Sequence, residues 1–336
     1  MFFIGASLAF SDITAHQLQR CLRTLRRPHG PNEETPWLAV YGDSLGRAIF
    51  FDTVDALNRS TRARPTTVED FVHPGHSANY SKDCTLFEER PPLHRRKCGG
   101  FAFDWHQGNR TLQVAPDGHN ACPAAGGGAR LSFRLKTFAW EPAIDEPWLQ
   151  ALQRVRRPPD AVLLSFGIWD MQYPPMSNPE QGVAAFEASL TRFLAAFDGA
   201  IGKFHPRPPV FWLSVTAVTN AKLPEWKRSR MSASLSQRYT ALARPRLEAL
   251  GVSVIDTYTS GLSHPELSLD GVHFATPVTR HHSQLFWSAL CDGAKGQHGH
   301  QRRRPGHSER HRGTRRNELR RRRRAARRRL MEGSTV

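Results

Sequence analysis

The chain has 336 residues, 39% of them hydrophobic and 10% aromatic, enough to bury one sizeable core and too apolar for a wholly disordered chain. Its net charge of +17 suggests a nucleic-acid partner until the charge is located: residues 292–336 carry 16 Lys/Arg against 4 Asp/Glu, while residues 1–291 carry 31 against 26. The body is nearly balanced, and no apolar run in it reaches the roughly 18 residues that a membrane span needs, so a soluble body is expected.

Residues 1–35 read as a lead. MFFIGASLAF is apolar but lacks a basic n-region and is too short to span a bilayer, ITAHQLQRCLRTLRR is helical in pattern, and HGPNEETP is a turn. Residues 37–41 form a continuous apolar run ended by Gly42, the mark of a buried parallel strand. LGRAIFFDTVDALN follows, with Ile49, Phe50, Thr53, Val54 and Leu57 on one helical face. Residues 58–130 are rich in Pro, Gly and His with little periodicity and are expected to form an insertion with local strands.

Residues 131–137 alternate as a half-buried strand, the apolar runs 161–166 and 210–215 predict two more buried strands, and 252–255 predicts a further strand. Phe186, Leu190, Phe193, Leu194 and Phe197 mark one intervening helix. A second is expected from about 232 to 250, kinked at Pro245 and closed by Gly251. Thr276 is expected to cap a last helix, with Pro277 at its first position and Leu285, Phe286 and Leu290 along it. Strands alternating with helices predict an α/β chain: a three-layer α/β/α sandwich around a mainly parallel sheet, occupying residues 36–291. The Arg-rich tail, 292–336, has no apolar periodicity to offset its ordering entropy and is expected to be disordered. Its arginines leave open a merely solvated tail or a binder of phosphates, acidic glycans or a nuclear import receptor.

The five cysteines contain no CxxC pair, so neither a zinc site of the usual spacing nor any other cofactor is expected. Cys84, Cys98 and Cys122 cluster in the insertion, where a disulfide would suit an oxidising compartment and free thiols a reducing one. Asn58, Asn79 and Asn109 each open an N-x-S/T sequon, which points to the secretory lumen or the exterior, with the cytoplasm as the alternative.

In an open parallel sheet, reactive groups gather where strands end and helices begin. Gly42-Asp43-Ser44-Leu45-Gly46-Arg47 lies at such an end: glycine permits a tight turn, and Ser44 opens a helix whose dipole and first N–H groups favour an oxyanion. A serine there in isolation is more often an N-cap. Asp270-Gly271-Val272-His273 lies before the last helix, and an Asp three residues ahead of a His in a turn can hold its Nδ1–H and leave Nε2 free to take a proton. Alone, that pattern is ordinary turn chemistry; the two segments together predict Ser44 Oγ and His273 Nε2 within about 4 Å.

These residues resemble the SGNH/GDSL hydrolases, most closely the PC-esterase branch, whose marks are a GDSxxR nucleophile motif and a C-terminal DGxH motif. Gly167-Ile168-Trp169-Asp170 is similar to that branch's Trp-Asp after the central strand, and the resemblance covers roughly residues 36–290. It implies a flavodoxin-like sheet order, Ser44 as nucleophile, His273 as general base and Asp270 as its orienter, with Gly42, Asp43, Gly167 and Asp170 supporting the motifs. Arg47 would hold an oxyanion or an anionic substrate group, or would simply pair with Asp43 one turn away. Trp169 stands where the wider superfamily has an oxyanion-hole Asn, so its N–H would substitute for that donor or its ring would only pack. Gly75 would be the family's glycine donor. His76, His281 and His282 read as surface or packing residues, since no third ligand lies at metal spacing.

The substrates implied are acyl esters, acetyl among them, of glycans or lipids. Hydrolysis through an acyl-enzyme is the first reading, O-acyl transfer to a glycan hydroxyl the second, and an inactive SGNH-like binding module with a polyanion-binding tail the third.

Overall fold

The computed structural model describes residues 13–25, 36–60, 102–106, 112–114, 129–155, 157–173 and 178–302. Gly75, His76, Asn79, Asn109, Cys84, Cys98, Cys122 and the tail beyond Arg302 lie outside the described residues. The chain divides at Gly293 into two units, and the first holds everything below except the last turns of the final helix.

The elements run α1 (Ala15–Leu25), β1 (Trp37–Gly42), α2 (Ser44–Ser60), β2 (Ala102–His106), β3 (Leu112–Val114), β4 (Arg130–Leu135), α3 (Pro142–Arg154), β5 (Ala161–Ser165), α4 (Ile168–Gln172), α5 (Pro179–Ile201), β6 (Val210–Leu213), α6 (Glu225–Arg228), α7 (Ala233–Ala249), β7 (Val252–Ile255), α8 (Tyr258–Ser263) and α9 (Thr276–Arg302). The sheet order is β3-β2-β4-β1-β5-β6-β7. The five strands from β4 to β7 are parallel, and β2 and β3 extend the β4 edge antiparallel. Taken in chain order the parallel strands lie 2-1-3-4-5, the flavodoxin-like arrangement of a three-layer α/β/α sandwich. The insertion thus supplies two local strands, β2 and β3.

Burial explains the strand patterns. β1, between β4 and β5, is covered on both faces and buries Leu38 through Gly42, whereas β4 alternates between half-buried and buried residues. On one face α3, α5 and α7 pack a core of Tyr41, Trp148, Phe193, Phe197 and Trp212, with the Tyr41 and Trp148 rings stacked at 3.8 Å. On the other, Phe50 of α2 meets Phe133 of β4, and Phe286 of α9 meets Phe211 of β6. Burying these side chains stabilises each by about 1.5–3 kcal/mol relative to exposure.

Four details differ from the sequence reading. The lead helix is part of the body: α1 buries Leu18, Leu22 and Leu25, and a Cys21–Cys291 disulfide ties it to α9. Pro245 lies inside α7 without interrupting it, because buried Tyr239, Ala243 and Leu247 hold both halves of the helix against the core. The cap of α9 is Ala275, whose carbonyl accepts from both Val278 and Thr279, so Thr276 is the first helical residue. α9 also runs past Cys291 to Arg302.

Candidate active site

Asp43 caps α2. Its Oδ1 accepts from the Leu45 and Gly46 N–H groups, and its carbonyl accepts from Arg47 N–H. Ser44 is thereby the first helical residue rather than the cap, and its hydroxyl is released from capping. Ser165, at the end of β5, donates its hydroxyl to the same Asp43 oxygen at 2.6 Å. Burial pushes the Asp43 carboxyl up, and these hydrogen bonds partly offset the rise. Gly42 is required by proximity: a Cβ there would stand 2.7 Å from Ser165 Cβ. Sequence reasoning missed Ser165; the only signal was a polar residue near the end of an apolar strand.

The late turn is built as tightly. Ser268 and Phe274 bridge, Leu269 N–H donates to the His273 carbonyl at 2.7 Å, and Gly271 takes φ +90. A Cβ at Gly271 would lie 2.7 Å from Leu223 Cδ2, so glycine is demanded by both conformation and space. Asp270 Oδ1 accepts from Val272 and His273 N–H at 2.9 and 2.8 Å, and Oδ2 accepts the His273 Nδ1–H at 2.9 Å.

Ser44 Oγ lies 2.8 Å from His273 Nε2. With Nδ1 donating to Asp270, Nε2 is the acceptor and the Ser44 hydroxyl the donor. Burial pushes the Asp270 carboxyl up, but the His273 ring and the two backbone N–H groups outweigh it and hold the group well below the usual carboxylate range. Asp270 is therefore anionic near neutral pH. Both side chains are about one-third exposed, so the pair opens to solvent.

The remaining candidates occupy distinct positions. Arg47 is buried, one turn along α2 from Ser44. Gly167 takes φ +116 at the start of α4, where a Cβ would stand 2.6 Å from Val215 Cγ2. Trp169 is half-buried, its ring against Phe138 at 6.3 Å and Tyr173 at 5.4 Å. Asp170 is buried and accepts the Ala139 N–H on both oxygens, 3.1 and 2.9 Å, which fixes the β4 loop; burial pushes its carboxyl up to about 7, against that hydrogen bond and the nearby Lys136. Lys136 itself is buried and donates to Asp145 at 2.6 Å and to the Ala139 carbonyl. His281 is exposed; His282 is buried against the Ser260 hydroxyl, and burial pushes it down to about 4. Among the described residues no group of three or more His, Cys, Asp or Glu could hold a metal ion, and no helix is long and apolar enough to cross a membrane.

No protein-family model matches the chain, and no curated protein is similar to it in sequence. Solved structures of similar fold include a lipase/acylhydrolase from Enterococcus faecalis, at 13% identity over 77% of this chain and 97% of that one with a TM-score of 0.38. A peptidoglycan O-acetylesterase is 11% identical over 85% and 99%, TM-score 0.44, and a carbohydrate esterase family 3 protein from Talaromyces cellulolyticus is 13% identical over 78% and 99%, TM-score 0.41. These are likenesses of chain fold, and they give no residue a role.

Proposed function

We propose that the protein is a serine esterase of the SGNH kind, resembling the PC-esterase branch, that hydrolyses acyl esters, acetyl among them, of glycans or lipids through an acyl-enzyme on Ser44. The observation that carries this reading is the unbroken relay from Ser44 Oγ to His273 Nε2 at 2.8 Å and from His273 Nδ1 to Asp270 at 2.9 Å.

In this mechanism Ser44 Oγ attacks the ester carbonyl as its proton passes to His273 Nε2. The Ser44 N–H, at the first position of α2, is suited to the developing oxyanion, assisted by the helix dipole and by Arg47 one turn away. Collapse of the tetrahedral intermediate breaks the ester C–O bond, and His273 Nε2–H protonates the departing alkoxide. Water then attacks the acyl-enzyme with His273 as base, releasing the carboxylic acid and restoring Ser44. Asp270 stays ionised throughout and stabilises the imidazolium, consistent with its depressed carboxyl.

The Cys21–Cys291 bond and the sequons at Asn58, Asn79 and Asn109 support a lumenal or extracellular setting, because disulfides persist where thiols are not kept reduced. The test is direct: the full chain should hydrolyse 4-nitrophenyl acetate and be labelled by a fluorophosphonate, and Ser44→Ala should do neither. Equal behaviour of the two proteins ends the esterase reading.

A further inference from the structure

Four large hydrophobic residues are exposed among the described residues: Tyr173, Trp226, Leu262 and Leu269. A single exposed ring needs no explanation, but these two aromatics belong to one strip. Phe138 meets Trp169 at 6.3 Å, Trp169 meets Tyr173 at 5.4 Å, and Tyr173 meets Trp226 at 6.3 Å, so the rings follow one another across three loops at the C-terminal ends of β4, β5 and β6. Exposure rises along it, from half-buried Trp169 to Tyr173 at 41% and Trp226 at 51%.

The exposed end of the strip adjoins the turn that carries the base. Thr219 N–H donates to the Gly271 carbonyl at 2.8 Å, Lys222 Nζ donates to the Ser268 carbonyl, and Leu223 packs on Gly271. α6, with Trp226, begins two residues after Leu223; burial pushes the Lys227 ammonium down, and the charge of Asp270 partly offsets this. The strip therefore runs from the β4 loop to the segment that holds the His273 turn.

We propose that Trp169, Tyr173 and Trp226 form a stacking platform that receives the sugar rings of an acylated glycan, setting its ester at Ser44; this rests on the esterase reading above. A pyranose presents an apolar C–H face to an aromatic ring and hydroxyls around its edge, which want polar partners beside each ring. Gln172 adjoins Tyr173, and Glu225 and Lys227 flank Trp226 in sequence. A long acyl chain has no polar edge and calls for an enclosed aliphatic lining, whereas Tyr173 and Trp226 are exposed and the Lys227 ammonium stands 5.2 Å from the Trp226 ring centroid.

The test compares kcat/KM of the full chain on O-acetylated oligosaccharides of xylose, mannose and N-acetylglucosamine with kcat/KM on 4-nitrophenyl acetate, whose rate absorbs any general damage. For Trp226→Ala and Tyr173→Ala the glycan-to-small-ester ratio should fall at least tenfold on one of the three sugars, equivalent to 1.4 kcal/mol, chiefly through KM. Leu262→Ala, off the strip, should keep the ratio. A smaller fall on all three sugars overturns the platform, as does a fall seen only against 4-nitrophenyl decanoate, which would make the strip an acyl-chain site. Failure of the wild type on every ester sinks the esterase reading separately. The platform is then judged by tryptophan fluorescence on Ser44→Ala with the same oligosaccharides: binding abolished by Trp226→Ala supports it, and no binding overturns it.

Discussion

Asp270→Asn tests the catalytic reading most sharply, because the structure dictates which way the amide must face. Asp270 Oδ1 accepts two backbone N–H groups, from Val272 and His273, and only an oxygen can do so. The Asn carbonyl must take that place, which turns its NH₂ toward His273 Nδ1. Nδ1 then becomes an acceptor, the ring proton moves to Nε2, and Nε2 meets the Ser44 hydroxyl as a donor rather than a base. The turn keeps both backbone hydrogen bonds, so folding is preserved while kcat should fall by about 10⁴, or about 5 kcal/mol of transition-state stabilisation. Asp270→Ala, which loosens the turn without imposing the wrong tautomer, should be no more damaging to kcat while costing more thermal stability. The assay is 4-nitrophenyl acetate turnover and fluorophosphonate labelling near neutral pH, with melting temperature as the folding control. An Asn variant that keeps turnover within tenfold of wild type refutes the assigned roles.

Gly271→Ala combines a left-handed φ with a contact 2.7 Å from buried Leu223, so it should cost about 2–3 kcal/mol and lower the melting temperature by several degrees; an unchanged melting curve would contradict the turn geometry. Cys21→Ser opens a link between residues 270 apart and should cost about 2–4 kcal/mol, with limited proteolysis showing earlier cleavage in α1; equal protease resistance would show that packing alone holds that helix. The Asp170 carboxyl titrates at about 7 when folded against 3.8 as a free group. The folded state thus binds the extra proton, and stability present below about pH 4 is lost as pH rises through about 7, by up to about 4 kcal/mol. Asp170→Asn keeps an acceptor for the Ala139 N–H and should flatten the melting temperature between about pH 5 and pH 8; parallel curves for the two proteins would refute the assignment.

The fold was legible because its signals are local. The apolar runs at β1, β5, β6 and β7 and the spacing of Phe186, Leu190, Phe193 and Phe197 require no knowledge of neighbours. What sequence could not supply was pairing across distance. Cys21 and Cys291 carry no spacing cue, and the clustered Cys84, Cys98 and Cys122 drew the reading away from them. Helix α3 escaped because Pro142 and Pro147 mask a helix whose buried face, Trp148, Leu149 and Leu152, is legible only against Tyr41 and α5. At the site, Gly42 and Gly271 were visible as turn residues, but the reasons for them, Ser165 and Leu223, lie more than a hundred residues and nearly fifty residues away.

That distance matters most for His273. β1 and β7 are separated by β5 and β6, so strand spacing alone puts their ends roughly 14 Å apart. The turn after β7 must therefore reach back across two strands to meet Ser44. No local propensity of Asp270-Gly271-Val272-His273 can direct it there. The arm that does so is the β6 loop: Thr219 and Lys222 grip the turn through backbone carbonyls, and Leu223 fills the space that only glycine leaves at position 271. The same loop continues into α6 and presents Trp226, so one segment both sets the base over the nucleophile and supplies the exposed end of the aromatic strip. Changes that shift residues 219–223 should consequently move catalysis and glycan selectivity together, whereas changes confined to Trp226 should move selectivity alone.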